Sequence, residues 1–350
     1  MRLRSLVALV ILIAWSAAST GVRAAVHAVE PARWQAGYRT LDVSPIPGAP
    51  LQHLAVWYPT QHREQAFRSG PFAMQVAASA MPAKGVFPVV ALSHGAFGHP
   101  INHRDLAIAL ARAGYMVIAP QHDRAADAGG FGSARQRQGR PAELLFALRT
   151  VRASRWFAPH FDARRVGAIG YSAGGYAVLA AMQAKSAWGD VAGHCLRNFI
   201  SDWNFCYGGS GGLARPANVA GDISTSHPRT PSRPIHIRAA VLLAPVAAVF
   251  SATGLAPVRG PIRIYAPDND QMLNSRFHGD WLYASLKAQG TPAELIVTHA
   301  GHYVFMSPFP DALKTEVGAA AQDPPGFDRP AFQQRLARET IAYFERTLRP

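Results

Sequence analysis

Strand-like stretches at Val86–Leu92, Tyr115–Ala119 and Arg165–Gly170 are each followed by a segment of helical spacing. This alternation constrains the fold more than anything else in the chain. A helix that returns the chain to the edge where the last strand began makes the next strand parallel, and parallel strands are buried on both faces. Val86-Phe-Pro-Val-Val-Ala-Leu92 has the near-continuous apolar character this demands. In the first helical segment Leu106 and Leu110 share a face, Asn102 offers an N-cap and Gly114 a stop. Pro141 opens a second helix through Leu144, Leu145 and Leu148, and Ser172–Met182 reads as a third, made of small residues. Strands resume at Arg238–Leu243, Pro261–Ala266 and Ala293–Thr298. An amphipathic helix with Phe332, Leu336, Phe344 and Leu348 on one face, started by Asp328 and Pro330, closes the chain. Gly37–Val43 and Leu51–Tyr58 read as an earlier antiparallel pair. The expectation is an α/β protein with a mostly parallel sheet flanked by helices, in a single domain over residues 25–350.

Two regions break the rhythm. Gln121–Arg140 is polar and Gly-rich. Residues 186–236, with Gly208-Gly-Ser-Gly-Gly212 and His227-Pro-Arg-Thr-Pro-Ser-Arg-Pro234, read as an insertion over one rim of the sheet. The N-terminus reads as an address. Arg2 and Arg4 precede ten apolar residues, Leu6–Trp15, and Val22-Arg23-Ala24 fits a signal-peptidase site. Ten helical residues rise only ~15 Å, about half the hydrocarbon thickness, so export with cleavage near Ala24 is expected rather than a membrane span. In an oxidising compartment the only two cysteines, Cys195 and Cys206, are expected to form a local disulfide. Loss of Arg2, Arg4 and Arg23 would take the formal charge from +14 to +11. The arginines are scattered, without a basic run or nucleic-acid motif, so no nucleic acid is expected as a partner. Weak, salt-sensitive association with anionic surfaces is compatible with the charge.

The chemistry centres on Gly170-Tyr-Ser-Ala-Gly-Gly175, a G-x-S-x-G motif with a strand before it and a helix after it. Such a turn lifts the hydroxyl of Ser172 above the sheet edge, with a helix N-terminus beneath that favours developing negative charge. Ser93-His-Gly-Ala-Phe-Gly98 follows the Val86–Leu92 strand, where a loop can supply a backbone N–H to an oxyanion. Ala96 and Ala173 are the expected donors. His94 is expected to brace that loop. A serine needs a histidine to take its proton, and the histidine needs an acid to fix its tautomer. His302, after the last core strand, is the expected base. Asp268 and Asp270 both follow the preceding strand; Asp270, further along the loop, is preferred. His99 and His103, four residues apart, lack a third ligand, so no metal is expected, and without a dinucleotide or P-loop motif no cofactor either.

Together these segments resemble the α/β-hydrolase superfamily, specifically its bacterial dienelactone-hydrolase-like group and the platelet-activating-factor acetylhydrolase type. The resemblance is carried by Leu92-Ser-His-Gly-Ala-Phe-Gly98, Ala113–Pro120 with Gln121-His-Asp123, Arg140-Pro-Ala142 and Gly170–Gly175. It continues through Leu243-Ala-Pro245, Asp270-Gln-Met-Leu273 and Gly301-His-Tyr303. It implies a serine hydrolase with Ser172, Asp270 and His302 as triad, acting on a small-molecule ester. True dienelactone hydrolases use a cysteine where this chain has Ser172, and the acetylhydrolases place the acid after an earlier strand, where this chain has Leu243-Ala-Pro-Val246. The Cys195–Cys206 insertion resembles one in exported members of the bacterial group. Lactones and amides pass through the same intermediate, so a lactonase or peptidase is the alternative. A non-catalytic binding protein on the same scaffold would need none of these residues. The sequence leaves the oligomeric state open.

Overall fold

The structure, a computed structural model, describes residues 33–44, 51–123, 134–208 and 234–348. The signal peptide expected at 1–24 lies outside these residues, as do 124–133 and the 209–233 part of the insertion. Ala32–Pro350 forms one compact unit.

The chain enters through an antiparallel pair, β1 (Gln35–Val43) and β2 (Gln52–Thr60), followed by a hairpin of β3 (Gln65–Ser69) and β4 (Phe72–Ala78). Six parallel strands follow: β5 (Phe87–Ser93), β6 (Met116–Pro120), β7 (Phe161–Tyr171), β8 (Ala239–Leu243), β9 (Ile262–Pro267) and β10 (Ala293–Thr298). All ten join one sheet in the order β10-β9-β8-β7-β5-β6-β2-β1-β4-β3. The reversal of order around β5 and β7 puts the ends of these two strands side by side at the centre, where a crevice forms outside the strand C-termini.

Two-sided burial shows in the register. Val89 and Ala91 of β5 face one apolar cluster, while Val90 and Leu92 face the other. Met116 and Ile118 of β6 likewise alternate with Val117 and Ala119. On one face pack α1 (Arg104–Arg112), through Leu106 and Leu110, and the terminal helix Arg329–Thr347, through Phe332, Leu336 and Phe344. On the other lie α2 (Ala134–Ala153), α3 (Ala173–Ala181) and the helix Gly279–Ala288, through Leu144, Leu148, Val178, Leu282 and Leu286. Each such side chain removed from water contributes ~1.5–3 kcal/mol against the entropy of ordering the chain.

Three local expectations need correcting. Asn102 is no cap; it lies within a 3₁₀ turn, Pro100–His103, whose N-cap is His99, its ring accepting from Ile101 N–H. α2 begins at Ala134, so Pro141 sits inside the helix and part of the expected loop is helical. The insertion is not irregular throughout, since Trp188–Asn198 forms a helix, α4. Cys195 on α4 is bonded to Cys206 in the following turn, Cα–Cα 5.5 Å. The hairpin β3–β4 was not anticipated. The terminal helix starts where expected, Asp328 accepting from Ala331 N–H, and Gly114 ends α1 at φ +97°.

Candidate active site

Ser172 is the residue between β7 and α3, and its backbone is at φ 53°, ψ −118°, a region a non-glycine residue enters only under strain. The turn is so tight that glycine is obligatory on both sides. A Cβ at Gly170 would come within 2.4 Å of Gly174 O, and one at Gly174 within 2.0 Å of Ser93 O. Backbone bonds hold the turn from β8: Ser172 N–H donates to Leu243 O (2.9 Å), and Val246 N–H donates to Ser172 O (3.0 Å).

The structure brings His302 and Asp270 to this serine. His302 Nε2 lies 3.0 Å from Ser172 Oγ, and Nδ1 lies 2.8 Å from Asp270 Oδ2. The His302 and Asp270 side chains are nearly solvent-free, at 4% and 3% exposure, so their pairing is little screened. Asp270 Oδ1 accepts from the N–H groups of Met272 and Leu273, both at 2.8 Å, which fixes the carboxylate and leaves Oδ2 for the imidazole. Asp268, the alternative acid, pairs instead with the exposed His299.

Two residues unassigned by sequence reasoning fix the histidine's backbone. Gln271 Oε1 accepts from His302 N–H at 3.0 Å, and the Tyr171 hydroxyl donates to His302 O at 3.2 Å. Burial pushes the Tyr171 phenol well above its ordinary value, reinforced by the nearby Asp270 charge, so it remains a donor. Tyr171 was the variable residue of the G-x-S-x-G pattern, so no signal distinguished it.

Ala96 and Ala173, the expected oxyanion donors, both line the cavity that contains Ser172. Ala173 is the first residue of α3, and a helix's first N–H groups have no partner within the helix. The cavity holds about 620 Å³, with Phe97, Phe205, Met272, Tyr303, Met306 and Phe309 among its walls. Phe205 and Met272 come from the disulfide-stapled turn and the acid loop. Those segments are tied together: Asp202 Oδ2 meets Nε2 of both His194 (2.9 Å) and His278 (3.2 Å), and Asp202 Oδ1 accepts from Asn274 N–H (3.2 Å).

His194, Asp202 and Cys206 place potential ligand atoms within 4.8 Å of one another. They do not suit a metal. The Cys206 sulfur is in the disulfide, and His278 Nδ1 accepts from Ala247 N–H, so its Nε2 carries the proton toward Asp202. His99 and His103 are each used locally, the first as a cap and the second against Phe305 O at 3.2 Å.

The sheet order, the strained serine turn and the acid and histidine on successive later loops define the α/β-hydrolase superfamily. Within it, residues 76–195 are similar to the dienelactone hydrolase family, a likeness that supports a hydrolase. The fold is similar to that of a dienelactone hydrolase-like promiscuous phosphotriesterase from metagenomic libraries (14% identity, 90% of this chain and 100% of that one, TM-score 0.53). It is also similar to a ferulic acid esterase from Streptomyces cinnamoneus (18% identity, 92% and 93%, TM-score 0.58). No curated protein matches in sequence.

Proposed function

We propose that the chain is an exported serine hydrolase that cleaves carboxylic esters through an acyl-enzyme. The observation that carries this reading is the continuous line Asp270 Oδ2–His302–Ser172 Oγ, with links of 2.8 and 3.0 Å, opening into an apolar cavity. Ser172 Oγ adds to the ester carbonyl as its proton passes to His302 Nε2, and the carbonyl electrons move to oxygen. The N–H groups of Ala96 and Ala173 receive that oxyanion. His302 then protonates the departing alkoxide, leaving Ser172 acylated. Water repeats the sequence, releasing the acid and restoring the serine. Asp270 keeps the imidazole proton on Nδ1 and stabilises the imidazolium formed at each step.

Support for export comes from the leader-like residues 1–24 and from a disulfide joining the only two cysteines. N-terminal sequencing of the purified mature protein should begin near Ala25. The chemistry is tested with a fluorophosphonate, which should label Ser172. Ser172→Ala should abolish labelling and lower kcat on p-nitrophenyl esters by up to ~10⁶-fold. Turnover that survives Ser172→Ala overturns the proposal.

A further inference from the structure

Arg140 is among the most deeply buried side chains, 1% exposed, and nothing in the proposed reaction calls for it. Its guanidinium grips two successive carbonyls of the loop after β5: Nη1 donates to His94 O (2.8 Å) and Nη2 to Gly95 O (3.0 Å). Gly95 O also accepts from Gly98 N–H at 3.2 Å. A third donor is His94. Its Nε2 accepts from His122 N–H (3.1 Å), so its proton is on Nδ1, 2.7 Å from Gly95 O. Burial, the neighbouring His122 and the Arg140 charge hold the His94 imidazole well below its ordinary value, so it remains a neutral donor. His122 is fixed in turn, Nδ1 against Glu143 Oε2 (2.6 Å) and Nε2 against Ser93 Oγ (2.8 Å).

A single carbonyl thus receives three donors, one of them a cation. Gly95 O belongs to the same peptide unit as the N–H of Ala96. No described peptide is cis, and in a trans unit C=O and N–H point in opposite directions. Pinning the oxygen therefore turns the Ala96 N–H away from Arg140, and Ala96 lines the cavity with Ser172. Drawing electrons toward the carbonyl oxygen also makes the attached N–H a better donor, as bonds in a chain polarise one another.

We infer that Arg140, with His94 as its neutral partner, is a positioning residue that orients and polarises the Gly95–Ala96 peptide as an oxyanion donor. The inference rests on the serine-hydrolase reading above. The charge acts where negative charge develops, so it should count in the transition state and not in substrate binding.

The test uses full-length mature protein, with kcat expressed per fluorophosphonate-titrated serine. Arg140→Met should lower kcat for p-nitrophenyl butyrate by about 10- to 100-fold with KM within about threefold. The Ki of an alkylboronic acid, whose tetrahedral adduct presents an oxyanion, should rise by the same factor. A merely structural role would lower the titrated fraction without moving Ki. Should Arg140→Met fail to fold, Arg140→Lys decides, because one ammonium cannot reproduce the two-pronged grip. An unchanged Ki and kcat in the lysine variant, or a rise confined to KM, overturns the inference. Wild-type protein that neither turns over nor labels overturns the site reading itself, and the inference with it.

Discussion

The two oxygens of Asp270 have different partners, and that asymmetry makes Asp270→Asn a sharp perturbation. Oδ1 faces two N–H donors, from Met272 and Leu273, while Oδ2 faces His302 Nδ1. An asparagine has only one oxygen, and the protein decides where it goes. Turning the NH₂ toward the two backbone donors would leave buried donors without acceptors, at ~1–3 kcal/mol each. The amide oxygen therefore stays on Met272 and Leu273, and the NH₂ meets His302. A donor opposite Nδ1 forces the imidazole proton onto Nε2, where it opposes the Ser172 hydroxyl instead of accepting from it. The fold should be indifferent, since shape and both backbone bonds persist. Catalysis should not, and a wrong tautomer in a comparable triad costs ~10⁴-fold in kcat, about 5.5 kcal/mol. The assay is p-nitrophenyl butyrate hydrolysis per folded protein, beside a thermal melt. Asp270→Asn that melts like wild type and keeps more than a tenth of its kcat would refute this account of the acid.

Removing the staple with Cys195→Ser and Cys206→Ser should weaken α4 and the turn after it by roughly 3 kcal/mol in the chain-entropy model, read as faster amide exchange in Trp188–Tyr207 than in β5–β9. His103, buried and with its pKa pushed down by desolvation to about 4, binds fewer protons than the unfolded chain between that value and 6.5. Stability should therefore fall as pH drops through this window, and His103→Gln should flatten the fall in acid-unfolding curves. Gly174→Ala, whose Cβ would meet the backbone oxygen of Ser93 at 2.0 Å, should cost ~3 kcal/mol or more, seen as a lowered melting temperature and lost Ser172 labelling.

What could be read from the sequence followed burial and chain locality. Strands β5–β9 announce themselves because both faces are covered, which leaves runs such as Val86–Leu92 almost without polar residues. Ser172, Asp270 and His302 were placed by their positions after strands, a rule of topology rather than of side-chain contact. In the hairpin β3–β4 the first strand carries no such signature, since Gln65, Ala66 and Arg68 are exposed; β4 is apolar but buries only alternate residues at its start, such as Met74 and Val76. α4 was concealed by Gly189 and Gly193, two residues of poor helix propensity in a window read as irregular. Of the brace around Gly95 O, the part of His94 was legible from its place in the loop after β5, and that of Arg140 was not. Arg140 lies 45 residues from that oxygen, and neither periodicity nor spacing says that a charged residue on α2 turns inward.

The strained backbone supports the same view of the molecule. Five described non-glycine residues have positive φ, and three of them, Phe97, Ser172 and Ala244, follow the C-terminal ends of adjacent strands β5, β7 and β8. Each such residue costs ~1–3 kcal/mol and persists only where its surroundings over-determine it. Here the surroundings are identifiable. Leu243 O and Val246 N–H grip Ser172, Tyr265 O accepts from Ala244 N–H at 2.9 Å, and Arg140 with Gln121 fixes the carbonyls of the Phe97 loop. Phe97 and Ser172 face the same cavity as His302. The apolar core on both sides of the sheet thus supplies the stability that the rim gives up, and the rim uses it to hold the Ser172 hydroxyl, the His302 imidazole and the Asp270 carboxylate within hydrogen-bonding distance of one another.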